Sequence, residues 1–414
     1  MLNKKIKILY LLTRVNIGGP AMHVALITSK LDKQKFDSYV ACGQLDKDEG
    51  DMSYVFAKQN IDLIKIPGLV RPISLFNDLV ALFSILRLLF VIQPDILDTH
   101  MAKSGCIGRL SATIYNLINT ILVRPHRIKK LHTFHGHIFE AYFSAFKTRL
   151  FLFIERFLAN HTETLFVISK TQKDDLLNKY KIGIQKQYQK INLGLDFNYL
   201  ENTYPDENIE QCFSNFKDKL KIGFIGRLVE VKDPLFLITL LKELNDNIKE
   251  QIHFFVAGDG NLKDELLNKI KENKLTEYIT YIPWVKDLKT LYSNLDCVYL
   301  FSLNEGTPIV ILEAFYFNLF VASTPVGGVV DLLSTSHKLN IIDGDFLKVD
   351  RGYLVKNYDV NAWTAVTLHL IKEKKNKNLA LKEFVINNYS IETLVKNMEN
   401  CYNYWVGRDV STPH

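Results

Sequence analysis

The chain has 414 residues, of which 47% are hydrophobic and 23% charged, and its formal net charge is +6. That length exceeds one comfortable core and suits two domains, and no low-complexity tract argues for disorder. Five scattered cysteines (Cys42, Cys106, Cys212, Cys297 and Cys401) have no CxxC spacing and no histidine cluster beside them, which argues against a zinc site or disulfide framework and for a reducing, cytoplasmic setting. The charge is uneven. Residues 1–200 hold 27 Lys plus Arg against 16 Asp plus Glu, and residues 201–414 hold 24 against 29. A basic first half points to an anionic surface, and because its cations are spread out rather than striped, a membrane fits better than nucleic acid.

Apolar, β-rich runs alternate with longer helical patterns from the start. The opening MLNKKIKILYLL has the look of a secretion signal, but TRVNIGGP follows where a small-residue cleavage site would stand, so residues 5–12 read as a first buried strand. Further strands are expected at 37–43, 95–100, 129–136 and 164–169, with helices between them, for example 21–31. The longest apolar run, 79–94, is broken by Arg87 and Pro94 and is too short to span a bilayer. Core packing is the first reading for 77–93. Residues 143–160 mix Phe and Leu with Lys147, Arg149 and Arg156, a composition that suits a helix lying on a bilayer as well as one covering a sheet.

The polar, acidic stretch 201–219 interrupts the pattern and reads as a linker. Strands then resume at 220–226, 252–258, 278–283, 297–302 and 320–324. The last pattern, 390–406, is an amphipathic helix with Leu394, Met398, Tyr402 and Trp405 on one stripe. The expected fold class is α/β, with two tandem Rossmann-like doubly wound domains and a cleft between the carboxyl ends of their strands. The domains are placed at 1–200 and 220–385, with 386–414 as a helix and tail packing back on the N-terminal domain.

Several loops after strands carry candidate chemistry. Gly18 and Gly19 would let backbone amides approach an anion at a helix start, although the spacing is not GxGxxG and no nicotinamide-dinucleotide fingerprint is present. In GFIGRLVEVKD, Arg227 and Lys232 sit five positions apart, placed to clamp a diphosphate. SLNEGTPIVILEAF sets Glu305 in a loop and Glu313 in an apolar helix that starts at Thr307–Pro308. A carboxylate among apolar neighbours needs a polar partner. Vicinal sugar hydroxyls would meet Glu313, a hydroxyl of the sugar being handled would meet Glu305, and the amides around Gly306 and Thr307 suit phosphate. The Asp-x-Asp at Asp343–Asp345 lies late in the chain, away from the expected cleft, and no metal is expected.

Together these features resemble the retaining glycosyltransferases of the two-Rossmann GT-B fold known as family 4. The resemblance rests on EGTPIVILE (Glu305 to Glu313), GRLVEVKD, VAGDGNLKDEL (256–266), TPVGG (324–328) and GGPAMH, and it covers nearly the whole chain. DTHMAKSGCIGRLSA (98–112) and HTFHGHIFEAYFS (132–144) resemble the subset that builds bacterial surface polysaccharides such as O-antigen, lipopolysaccharide and capsule.

The resemblance implies a metal-independent transferase that needs no cofactor and uses a nucleotide-sugar donor, a UDP-sugar first of all. Its acceptor would be a lipid-linked saccharide. Residues 1–200 would face the acceptor and 220–385 the donor. Arg227 and Lys232 would stabilise the departing nucleoside diphosphate, Glu313 would hold the ribose and Glu305 the transferred sugar. His135 matches the family histidine facing the donor sugar, with His137 as the fallback, and His100 and Lys103 are candidates for an acceptor phosphate. The protein would work in the cytoplasm, peripheral on the cytoplasmic face of the inner membrane. Two rivals remain: a nucleotide-sugar epimerase on the same fold, and a silent binding subunit of a partner transferase.

Overall fold

The computed structural model describes residues 4–46, 49–136, 145–201, 206–283, 285–336, 339–373 and 379–407, with the side chains of 145–147 set aside. The chain divides into two units, Met1–Gly194 with Ile391–His414, and Leu195–Ser390. Each contains a seven-stranded sheet.

In the first unit the strands are β1 (Ile6–Leu12), β2 (Phe36–Cys42), β3 (Leu63–Lys65), β4 (Ile96–His100), β5 (Lys129–Phe134), β6 (Thr164–Val167) and β7 (Tyr188–Lys190). They lie in the order β3-β2-β1-β4-β5-β6-β7, all parallel. The order reverses between β1 and β4, and there the loops of the two strands diverge to leave room for a ligand. Central strands covered on both faces are mostly apolar, as β1 is apart from Lys7. The helix Ile391–Trp405 returns to this unit. It packs Leu394, Met398, Cys401 and Tyr402 inward, and the Trp405 indole donates to the Thr164 hydroxyl at 2.8 Å.

The second unit repeats the plan with β8 (Leu220–Ile225), β9 (Ile252–Ala257), β10 (Ile279–Ile282), β11 (Cys297–Leu300), β12 (Phe320–Ser323), β13 (Phe346–Val349) and β14 (Gly352–Val355). Their order is β10-β9-β8-β11-β12-β14-β13, parallel except for the β13–β14 hairpin. One face buries Trp363 among Phe236, Tyr299 and Phe301, and the other buries Phe255, Leu312 and Phe315.

Two expectations need correction. Of the stretch 201–219, the described residues 206–219 pack into the second unit rather than forming a free linker. The helix Glu207–Phe213 buries Ile209 and Phe213 in the second unit, and the Phe213 ring stacks on Phe255 at 4.0 Å. The apolar spacing of Ile209, Phe213 and Phe216 is a helical stripe that the surrounding acids mask. The helix Leu75–Ile92 is not simply core packing either. Only Ala81, Ile85, Leu89 and Ile92 are buried, while Phe76 and Phe83 are 76% and 65% exposed. Its 18 residues, with mean hydropathy 2.1, are long and apolar enough to cross a membrane by length and composition.

Candidate active site

The first unit gathers histidines where its strand order reverses. Asp98 and His100 share one face of β4 because side chains two apart in a strand point the same way, and Tyr10 of β1 pairs in register with Asp98. His23 reaches them from the helix Gly19–Lys30, and His135 follows β5. His100 Nδ1 lies 2.9 Å from His135 Nε2. The His23 ring meets His135 edge-on at 5.3 Å and His100 at 5.8 Å between centroids. The Tyr402 hydroxyl donates to Asp98 Oδ2 at 2.9 Å, and Tyr10 donates to Tyr402 at 3.1 Å. Burial holds all these imidazoles neutral, with His23 pushed down to about 4 and His100 and His135 well below the ordinary value.

The sequence-predicted residues of this unit fare differently. His135 is partly exposed, as a group facing substrate must be. His100 has no exposed surface, so it cannot meet an acceptor phosphate and backs His135 instead. Lys103 is also engaged: it pairs with Asp78 at 2.5 Å and donates to the Pro72 carbonyl, both at the start of the Leu75–Ile92 helix. His132 sits inside β5 on the opposite sheet face from His100, bonded to Thr99 Oγ1 at 2.9 Å. His137 lies outside the described residues. The Gly18 amide donates to Met52 Sδ at 3.4 Å, and Gly19 has open space around its Cα, so this turn keeps room at the helix start. Between His100 and Lys103, Met101 takes φ 68° with ψ 160°, a conformation costly for any side chain and often found at functional sites.

The second unit places charge at its own reversal point, between β8 and β11. Lys232, from the loop after β8, pairs with Glu305, from the loop after β11, and the Ser302 hydroxyl donates to the same Glu305 oxygen at 2.6 Å. The Leu303 amide bonds the Val231 carbonyl at 2.9 Å, so backbone and side chains join the two loops. Arg227, in the same loop as Lys232, is exposed. A third loop closes in behind. Gly327 has φ 50°, and a Cβ there would collide with the Glu305 carbonyl oxygen, so only glycine fits.

Glu313 finds its polar partner in Tyr292, whose hydroxyl donates to Oε2 at 2.6 Å. Desolvation still raises the Glu313 carboxyl above its ordinary value, against the pull of that hydrogen bond. The helix carrying it runs Ile309–Tyr316 with Pro308 as its N-cap, so Thr307 precedes the cap and is buried in the loop. Gly306 lies between Glu305 and Thr307 in the same loop, partly exposed. Asp343, of the late Asp-x-Asp, is paired with Lys356. Among the described residues no group of three or more His, Cys, Asp and Glu side chains is arranged to hold a metal.

The sequence reading gave no site role to His23, Asp98, Tyr292 or Ser302, and it read Tyr402 only as part of an apolar helix stripe. A faint signal existed for two of them: His23 ends GGPAMH, and Asp98 precedes His100 by the strand period.

Comparison with known proteins agrees on both halves. Residues 17–188 match the family described as Glycosyltransferase Family 4, and residues 206–387 match Glycosyl transferases group 1. The chain belongs to the family 4 glycosyltransferases. The transferase is 24% identical over 380 residues, 90% of both chains, to the UDP-Gal:alpha-D-GlcNAc-diphosphoundecaprenol alpha-1,3-galactosyltransferase of Escherichia coli. Over 30% of its length and 34% of the relative's, it is 33% identical to an N-acetylgalactosaminyltransferase of Campylobacter jejuni that acts on an undecaprenol-linked acceptor. Its fold is that of the Anabaena protein HepE in complex with UDP, with TM-score 0.74, 16% identity and coverage of 96% and 100% of the two chains. These likenesses establish a GT-B glycosyltransferase related to enzymes of bacterial surface polysaccharides.

Proposed function

We propose that the transferase moves a sugar, with retention and without a metal, from a UDP-sugar to a lipid-linked saccharide acceptor in surface polysaccharide assembly. The observation that carries this reading is the joined pair of loops at the reversal point of the second sheet. Lys232 stands there paired with Glu305, Arg227 is exposed in the same loop as Lys232, and Glu313 lies on the helix that follows the Glu305 loop. A departing nucleoside diphosphate needs positive charge, which Arg227 and Lys232 supply without a cofactor. In the ligand-free protein Lys232 is neutralised by Glu305, so an arriving diphosphate competes for Lys232 while the sugar hydroxyls offer Glu305 new donors. Glu313 keeps one oxygen on Tyr292 and offers the other to the ribose hydroxyls. His135 acts on the transferred sugar. The E. coli and C. jejuni relatives, with their undecaprenol-linked acceptors, and the UDP bound by HepE support the choice of donor and acceptor class.

Calorimetric titration with UDP, GDP and dTDP in EDTA tests this. UDP is expected to bind, and Glu313→Ala to weaken it at least about tenfold, the cost of roughly one good pair of hydrogen bonds. Absence of binding by all three nucleotides would overturn the donor reading.

The same reading places the transferase peripherally on the cytoplasmic face of the inner membrane. Three neighbouring helices of the first unit (Leu75–Ile92, Ala102–Ile121 and Ala145–Ala159) expose Phe76, Phe83, Leu117, Ile121, Phe153 and Phe157, with Arg87, Arg149 and Arg156 exposed among them. Apolar side chains with interspersed arginines suit an anionic bilayer. The first helix already commits the Ala81–Ile85–Leu89 stripe to its own sheet, which favours lying on the surface over spanning. Flotation with vesicles containing phosphatidylglycerol should lose most bound protein on Phe83→Asp with Phe153→Asp. Unchanged binding by this double variant would remove the membrane assignment.

A further inference from the structure

The histidine group of the first unit contains four buried atoms that have no hydrogen-bond partner among the described residues, both ring nitrogens of His23 with Asp98 Oδ1 and His100 Nε2, and the last two face each other. Asp98 Oδ1 and His100 Nε2 are 3.5 Å apart, and both side chains are fully buried. The other atoms of the chain are all committed. Asp98 Oδ2 accepts from Tyr402, which accepts from Tyr10, and His100 Nδ1 meets His135 Nε2. With every ring neutral, the His100–His135 hydrogen bond carries one proton, and the charge on Asp98 Oδ1, 3.5 Å from His100 Nε2, decides through space which His100 nitrogen holds the proton.

When Asp98 is ionised, His100 must keep its proton on Nε2, facing the carboxylate. Its Nδ1 is then a lone pair and accepts from His135 Nε2–H, which leaves a bare lone pair on His135 Nδ1. When Asp98 carries a proton toward His100, the arrangement of the two rings reverses while Tyr402 still donates to Oδ2. His100 Nε2 accepts, His100 Nδ1–H donates to His135 Nε2, and His135 presents Nδ1–H. One buried proton thus decides whether the partly exposed histidine offers an acceptor or a donor.

We propose that Asp98, held by Tyr402 of the C-terminal helix, is a positioning residue that sets through His100 which nitrogen of His135 is protonated. An isosteric change at the acid of a related acid–histidine pair acts by the same means, leaving the geometry intact and the tautomer wrong. The state is poised near neutrality, because burial pushes the Asp98 carboxyl up to about 7 against the hydrogen bond from Tyr402. The groups facing Asp98 from its neighbours, Tyr10 of β1 with Tyr402 and Cys401 of the C-terminal helix, are held in their protonated forms by burial. His23 is held neutral above about 4. Asp98 is therefore the member of this group that titrates around neutral pH. The inference gives His135 its importance only if His135 acts on the sugar as proposed above, but its physical content does not depend on that role.

The test uses the full, ligand-free protein labelled with nitrogen-15 histidine. Two-bond proton–nitrogen correlations read the His135 tautomer between about pH 6 and about pH 8.5, a range in which Asp98 titrates and the buried rings stay neutral. Wild-type His135 is expected to pass from Nδ1–H at the acid end to Nε2–H at the basic end. Asp98→Asn, whose amide donates to His100 at every pH, is expected to lock His135 as Nδ1–H throughout. Tyr402→Phe removes one hydrogen bond to the carboxylate and is expected to move the midpoint upward without abolishing the change. A wild-type tautomer that stays constant across the range overturns the proposal without any variant having to fold, as does an Asp98→Asn protein that follows the wild-type titration. Activity lost on His135→Ala together with a constant tautomer would uphold the transferase reading and sink this one. A switching tautomer with unaffected activity would do the reverse.

Discussion

The two units share a strand order and a reversal point, yet they equip that point in opposite ways. In the first unit the polar groups sit on the strands themselves, Tyr10 on β1 and Asp98 and His100 on β4, and they are buried and largely uncharged. In the second they sit in loops after the strands, with Lys232 and Glu305 as a charged pair held by Ser302 and an exposed Arg227 in the same loop as Lys232. Strand-borne groups inherit the rigidity and low dielectric of the core, which suits control of proton position. Loop-borne charges keep access to solvent and suit an anion that arrives and leaves. One fold thus holds a buried, largely uncharged polar group in one half and a charged pair of loops in the other, according to whether most of the polar side chains stand on the strands or after them.

The largest effects should come from disarming each half in turn. His135→Ala is expected to cut sugar transfer by about 10²- to 10⁴-fold, the usual range for loss of a proton-handling group, with nucleotide affinity within about twofold of wild type. Glu305→Ala should also lose turnover more than donor binding, and it would free Lys232. Steady-state kinetics beside calorimetry distinguishes the two outcomes. Wild-type rates in both variants would mean that neither half is catalytic.

Acid should break the comparison next, because the buried histidines are concentrated in the first unit. A histidine neutral in the fold and charged when unfolded contributes stability that is present above its unfolded value near 6.5 and lost as pH falls toward its folded value. For His23, lowered to about 4 by burial, the loss is about 3 kcal/mol. His100, His132 and His135 shift the same way. Asp98, raised to about 7, acts in the opposite sense, its contribution fading as pH rises from about 4 toward 7, but it is one group against four. Hydrogen exchange at about pH 5 against about pH 7 should therefore deprotect β1, β4 and β5 more than β8, β11 and β12. Equal deprotection would show that the histidines do not govern acid stability.

A smaller effect separates the loops. Gly327→Ala forces a side chain against the Glu305 carbonyl at a left-handed backbone position and should cost about 1–3 kcal/mol while lowering turnover. Gly19→Ala in the first unit meets open space, and melting curves should show it nearly neutral.

Much of this was legible before any coordinates. Largely apolar runs such as IKILYLL and IHFFVA marked the central strands to within a few residues, because a strand buried on both faces has few polar positions to blur it. The short strands Leu63–Lys65 and Tyr188–Lys190 at the sheet edge went unread, since three residues with one exposed position carry no period. The hairpin Phe346–Val349 and Gly352–Val355 was missed for a similar reason. In the candidate site, the spacing of Glu305 and Glu313 and the loop holding Arg227 and Lys232 were evident because loops announce themselves by glycine and charge.

What composition and pattern determined, then, was two doubly wound units, their central strands and the loop-borne charges of the second. Only the tertiary structure decided that Lys232 answers Glu305, that Tyr292 answers Glu313, and that His100 faces His135 rather than solvent. It alone brought Tyr402, 304 residues away in sequence, to Asp98. A local pattern reports which face of an element is buried, but the partner of a buried polar group is set by which elements the fold packs together, and no periodicity along the chain records that.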